Sequence, residues 1–187
     1  MASIVFNKFL VPEDRGRVLS SITVTSSGET STVVDQPHFW HWDVYLVLEP
    51  SALVKSRSVQ LSIIPTNPPV GTLMITSREA LGSEEFAKVE LSIQVVGTPR
   101  VEQVIDLLVE KGMHRYHFDD TGAGCLFWIF VSLQQLADAG FVESSAVVKL
   151  REFHREQLSF HPERYPMPLK KGSFYWSVGP APQLLFC

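Results

Sequence analysis

Apolar positions recur along the chain in two different rhythms. Up to Gly97 they alternate with polar residues or gather in short β-branched and aromatic runs, each closed by a turn former. "RVLSSITVTS" (17–26) alternates and ends before Ser27-Gly28. "HWDVYLVLEP" (41–50) stops at Pro50 and "SVQLSIIP" (58–65) at Pro65. "GTLMITS" (71–77) follows the breaker "TNPPVG", and "KVELSIQVVG" (88–97) closes the series. The pattern predicts about five strands, paired antiparallel because the links are too short for crossover helices.

From residue 98 the period lengthens. "TPRVEQVIDLLVEKG" predicts a helix with Thr98 as N-cap, Pro99 at the first position, Val101, Val104, Ile105 and Leu108 on one face, and Gly112 as the stop. A short extended piece, "HRYHF", leads to the turn "DDTGAG". "CLFWIFVSLQQLADAG" is an apolar helix ended by Gly140, and "ESSAVVKLREFHREQ" an amphipathic third helix. The Pro- and aromatic-rich tail adds a strand at "SFYWSV". The fold class is α+β in a single domain: a strand block (17–97), a helix block (98–158) and a tail (159–187).

Composition narrows the function. The 187 residues suffice for one core, and a net charge of −4 argues against a general nucleic-acid binder. The basic run from Lys149 to Lys171 reads as a solvated face. No apolar run approaches the ~20 residues that span a bilayer, and no basic segment followed by an apolar one marks a secretory leader. With two cysteines and no C-x-x-C spacing, neither a disulfide framework nor a metal site is expected. P-loop, dinucleotide and G-x-S-x-G patterns are absent, so no cofactor is implied. The expectation is a cytoplasmic protein with a small-molecule substrate and a free internal thiol.

That thiol, Cys125, follows Gly122-x-Gly124 at the start of the apolar helix. A thiol becomes a nucleophile when a helix N-terminus or a nearby histidine stabilises its anion. The glycines permit a tight turn, and the free N–H groups of the first helical turn suit a thiolate and an oxyanion. Of six histidines, His41 opens a strand that fixes the direction of its side chain, and His38 lies in the loop before it. His114 and His117 precede Cys125 on the extended approach. His154 and His161 are expected at the surface. The competing reading is structural: free cysteine is among the most buried residue types, "CLFWIFV" is apolar enough for core, and a histidine beside tryptophans suits an aromatic cluster.

"HWDVYLVL", followed by a helix, "YHF", a turn and "GCLFWIF", resembles the circularly permuted papain-like group of NlpC/P60 and lecithin:retinol acyltransferase proteins. The matching positions are His41-Trp42 with Tyr45, then "LVEKGMHRYHF", then Cys125. The chain also resembles a group of small fungal proteins with the pattern His-Trp-x-x-Tyr … Arg-Tyr-x-Phe … Gly-x-Gly-Cys-x-Phe-Trp. Here those positions are His41-Trp42, Tyr45, Arg115-Tyr116, Phe118, Gly122, Gly124-Cys125, Phe127 and Trp128. It departs from the acyltransferases at Gly124, where they carry Asn, and at Leu126-Phe127, where they carry Glu-His. The third polar group of those enzymes falls on the next strand, where "SVQLSI" offers Gln60 or Ser62. Asp43, on His41's own strand face, is a further candidate ranked just behind Gln60.

The resemblance implies acyl transfer or amide/ester hydrolysis on a small, partly apolar substrate, as a tailoring step in fungal specialised metabolism. Cys125 would be the nucleophile, His41 the base, and Gln60 or Asp43 the orienting group. Trp42, Tyr45, Tyr116 and Trp128 would line the substrate site with Gly124, and Arg115 would meet a substrate carboxylate. The alternatives are a non-covalent cyclase or isomerase, and a non-catalytic binding domain on the same fold.

Overall fold

The computed structural model describes residues 5–29, 40–84, 88–162, 165 and 167–175. His38 and Arg164 lie outside them, as do the end of the "SFYWSV" segment and Cys187. The strands are β1 (Val5–Phe9), β2 (Leu19–Glu29), β3 (Trp40–Leu48), β4 (Ser58–Asn67), β5 (Val70–Arg78), β6 (Lys88–Gln94), β7 (Tyr116–His117) and β8 (Ser173–Phe174). The helices are α1 (Val101–Glu110), α2 (Cys125–Asp138) and α3 (Ala146–Phe160). All eight strands form one sheet in the order β6-β2-β3-β4-β5-β7-β8, with β1 added alongside β5.

The expected five strands are β2 to β6, and they pair with one another antiparallel. The other three carry no alternation to betray them. β1 runs parallel to β5, while β7 and β8 are two-residue strands that pair with each other, β7 also meeting Val70 at the start of β5. β4 also continues past Pro65 to Asn67. Its ladder with β3 starts only at Val44↔Leu61, and its register with β5 shifts between Ile64 and Asn67, so Pro65 occupies an irregular stretch that needs no ladder N–H.

The first helix begins later than Thr98-Pro99 would place it. Leu19 N–H donates to the Pro99 carbonyl at 2.9 Å, and Val18 bridges Arg100, which draws these residues into strand-like pairing. Arg100 is the extended N-cap, and its N–H donates to Gln103 Oε1 at 2.8 Å. The expected stripe of Val101, Val104, Ile105 and Leu108 is buried.

One face of the sheet carries Ile22, Val24, Val44, Leu46, Leu61 and Ile75, all buried. Against β3 and β4 packs α2, buried on nearly every side from Leu126 to Leu136, as its unbroken apolar run requires. On α3 the buried positions are Ala146, Leu150 and His154, one helical turn apart each time. His154 is therefore inside, at 8% exposure, and not on the surface as expected from its polar sequence neighbours. No described helix is long and apolar enough to cross a membrane.

The central position of α2 sets a contrast between substitutions. Leu133→Ala should cost about 2–5 kcal/mol in urea unfolding, whereas Val148→Ala, on the exposed side of α3, should change stability by less than about 0.5 kcal/mol.

Candidate active site

Residues 40–43 extend β3 beyond its ladder with β4, so the two strands part there and leave an opening in the sheet. Alternation puts His41, Asp43 and Tyr45 on one side of β3, and Trp40 and Trp42 on the other. The start of α2 approaches this opening, and Cys125 lines the same cleft as His41 and acts on its charge.

The direction of α2 is fixed by the turn before it. Asp119 accepts N–H bonds from Thr121 at 3.0 Å and Ala123 at 2.9 Å, and the Thr121 hydroxyl at 2.7 Å. Burial opposes its charge, yet these donors hold its carboxyl below the usual range. Gly124 has φ 137, in the region that disfavours a side chain. A Cβ there would lie 2.5 Å from the Tyr116 hydroxyl, which donates to the Gly124 carbonyl at 2.7 Å and accepts from Gly172 N–H at 3.0 Å. This close approach is why glycine stands before Cys125 where an asparagine would not fit.

His41 Nε2 lies 2.9 Å from Ser62 Oγ in a directed hydrogen bond and 3.1 Å from Asp43 Oδ1 in an ion-pair contact. Burial works against charge on the ring. The Asp43 carboxylate and the Cys125 sulfur outweigh it and push His41 up to about 10. Burial likewise opposes the Asp43 charge, but His41 first, then Ser62 and Gln60, hold its carboxyl below the ordinary value.

Cys125 and His41 share a cleft of about 440 Å³, within the range of small-molecule sites at ~300–1,000 Å³. Its walls are mainly apolar, with Trp40, Trp42, Ile64 and Tyr165 among them, and Lys170 at an exposed position. Cys125 is free and half-buried, neither sealed in the core nor fully open. Among the described residues no group of three His, Cys, Asp or Glu side chains is arranged to hold a metal ion.

The expected site residues separate into three groups. His41, Asp43, Cys125, Trp42 and Gly124 come together at the cleft or directly behind it. Gln60 does not orient His41: its Oε1 accepts from Arg78 Nε at 2.8 Å and it supports Asp43, so the second-ranked Asp43 takes the place next to the ring, with Ser62. Tyr116 and Trp128 are framework rather than substrate surface. Both are buried, and the Trp128 indole donates to the Met113 carbonyl at 2.7 Å. Tyr45 faces a separate polar cavity of about 240 Å³ across the sheet, where burial and the Asp43 charge push its hydroxyl up to about 12. Arg115 is not in the cleft wall; its carbonyl accepts from Tyr175 N–H at 3.1 Å. His117 stacks on Tyr175 instead of approaching the thiol. His154 was missed, although its i+4 spacing from Leu150 and i+8 from Ala146 carried the signal.

The fold and the site define an α+β domain with a cysteine–histidine–carboxylate cluster at an apolar cleft. Residues 21–175 match the family described as Domain of unknown function (DUF7770), and the chain belongs to that family. No curated protein and no solved structure matches it.

Two measurements probe this geometry. Gly124→Ala combines the disfavoured φ with the Tyr116 contact and should destabilise by about 1–3 kcal/mol or more in urea unfolding. The pH dependence of stability follows from the two shifts. His41's contribution is complete below the ordinary histidine value of 6.5 and is lost as pH rises through about 10. Asp43's is complete above the ordinary aspartate value of 3.8 and is lost as pH falls through its lowered value in the fold. Asp43→Asn should therefore flatten the decline in unfolding midpoint between pH 6.5 and 10; an unchanged slope would count against the pair.

Proposed function

We propose that the protein is a thiol-dependent acyl-transfer or amide/ester-hydrolysing enzyme acting on a small, partly apolar substrate. The observation that carries this reading is that His41, 3.1 Å from the Asp43 carboxylate, lines one cleft with Cys125, the two coming from elements far apart in sequence. The order of parts, strand histidine first and helix-borne cysteine later, also supports a likeness to the circularly permuted papain-like group. In that likeness Asp43 and Ser62 replace the Gln60 expected as orienting group.

The reacting form in this reading is the Cys125 thiolate beside a protonated His41 ring, whose pKa, against its burial, Asp43 and Cys125 raise to about 10. Sγ attacks the acyl carbon, and the N–H groups of the first α2 turn, which lack intrahelical acceptors, receive the oxyanion. The intermediate collapses, the bond to the leaving oxygen or nitrogen breaks, and His41 supplies its proton. Acylation removes the negative sulfur, so the His41 pKa falls and the ring becomes a base for water or a second nucleophile. Asp43 holds the ring and offsets its charge. The apolar cleft receives the acyl group and limits competing water.

The test is exposure to 4-nitrophenyl butyrate, with intact-protein and peptide mass as readouts. The expected result is a butyryl adduct on Cys125 with release of 4-nitrophenolate, no adduct in Cys125→Ala, and acylation slower by about 10²–10⁴ in His41→Ala. Turnover that persists in Cys125→Ala, or no adduct at Cys125 in the parent, would contradict the covalent reading. The first of these outcomes would favour non-covalent chemistry in the same cleft.

A further inference from the structure

His154 is the second imidazole in the cleft wall, and the acyl chemistry proposed above gives it no task. It projects from α3 between two rings: Trp42 at 6.1 Å and Tyr165 at 5.9 Å, between centroids. It is 8% exposed, and its contacts among the described residues are ring contacts, with no hydrogen bond or ion pair. The ring borders the cleft, where water or a ligand can pair with its nitrogens. Burial lowers its pKa and keeps the ring neutral, so it has one nitrogen donor and one nitrogen acceptor. A neutral imidazole among aromatic rings can pair with a neutral hydroxyl or carbonyl.

We propose that His154 is a specificity-determining residue, hydrogen-bonding a hydroxyl or carbonyl carried on an aromatic acyl group whose reacting carbon lies at Cys125. The inference rests on the cleft being the acyl site of the proposed function. The aromatic preference comes from the wall itself: Trp40 and Trp42 each lie 5.9 Å from Tyr165, centroid to centroid, in tilted and edge-on arrangements that put aromatic surface beside the imidazole. The single polar contact then supplies what stacking cannot, a preference for an oxygen at one edge of the ring system.

Binding is measured in the Cys125→Ala background, so that acyl chemistry does not enter the readout. The probes are 2-acetylnaphthalene and its 6-hydroxy derivative, titrated by calorimetry. The hydroxylated probe should bind about tenfold more tightly than the plain one. Adding His154→Phe, a ring-for-ring exchange, should bring the ratio below about twofold while leaving the plain probe's affinity within about twofold. His154→Gln, which keeps a donor and an acceptor, should restore part of the preference. Equal binding of the two probes, no binding of either, or a preference that survives His154→Phe would overturn the proposal. A preference that behaves as expected, in a protein whose Cys125 fails to acylate, would leave the recognition standing and remove the covalent chemistry. The two readings therefore fail separately.

Discussion

The Tyr116 hydroxyl, donating to the Gly124 carbonyl and accepting from Gly172 N–H, fixes where α2 begins. That bond, with the Asp119-centred turn before it, determines the direction in which Cys125 leaves the helix. Only from this start does the thiol meet a histidine placed on β3, more than eighty residues earlier in the chain. The glycine before the cysteine is thus part of the site's geometry. A larger residue would press on the hydroxyl that holds the turn.

On the strand side the site exists because a sheet is allowed to come apart. β3 and β4 pair from Val44↔Leu61 onward, and the residues before that point are free to serve an opening instead of a ladder. His41 consequently borders two cavities: the apolar cleft with Cys125, and a polar one that also includes Asp43, Tyr45 and Gln60. The imidazole thus has an apolar side suited to a substrate and a polar side that stabilises its charge. The polar backing is needed, because burial alone would drive the ring neutral.

Much of this was legible in the sequence, and what was hidden has physical causes. The five main strands and three helices follow from period and punctuation, since each buries a face large enough to leave a pattern. β7 and β8 are too short to have a period, and β1 is defined by its partner. Cys125 and His41 were visible because glycine turns and strand starts constrain side chains locally. The choice between Gln60 and Asp43 was not visible, since it depends on how far β3 and β4 separate, and alternation does not encode that distance. The same holds for Tyr116 and Trp128, whose polar atoms satisfy backbone carbonyls in the interior rather than a ligand. His154 was hidden by its polar sequence neighbours, although its spacing from Ala146 and Leu150 marks the buried side of α3.

The most direct measurement is the titration of the His41 ring nitrogens by nitrogen-15 NMR, in the parent protein and in Cys125→Ala. The account predicts a ring that stays protonated to about pH 10 in the parent and a midpoint that falls when the sulfur is removed, because Cys125 is one of the two groups that raise it. A midpoint near 6.5 in both proteins would mean that the thiol and the imidazole do not interact, and the site would lose its chemical basis.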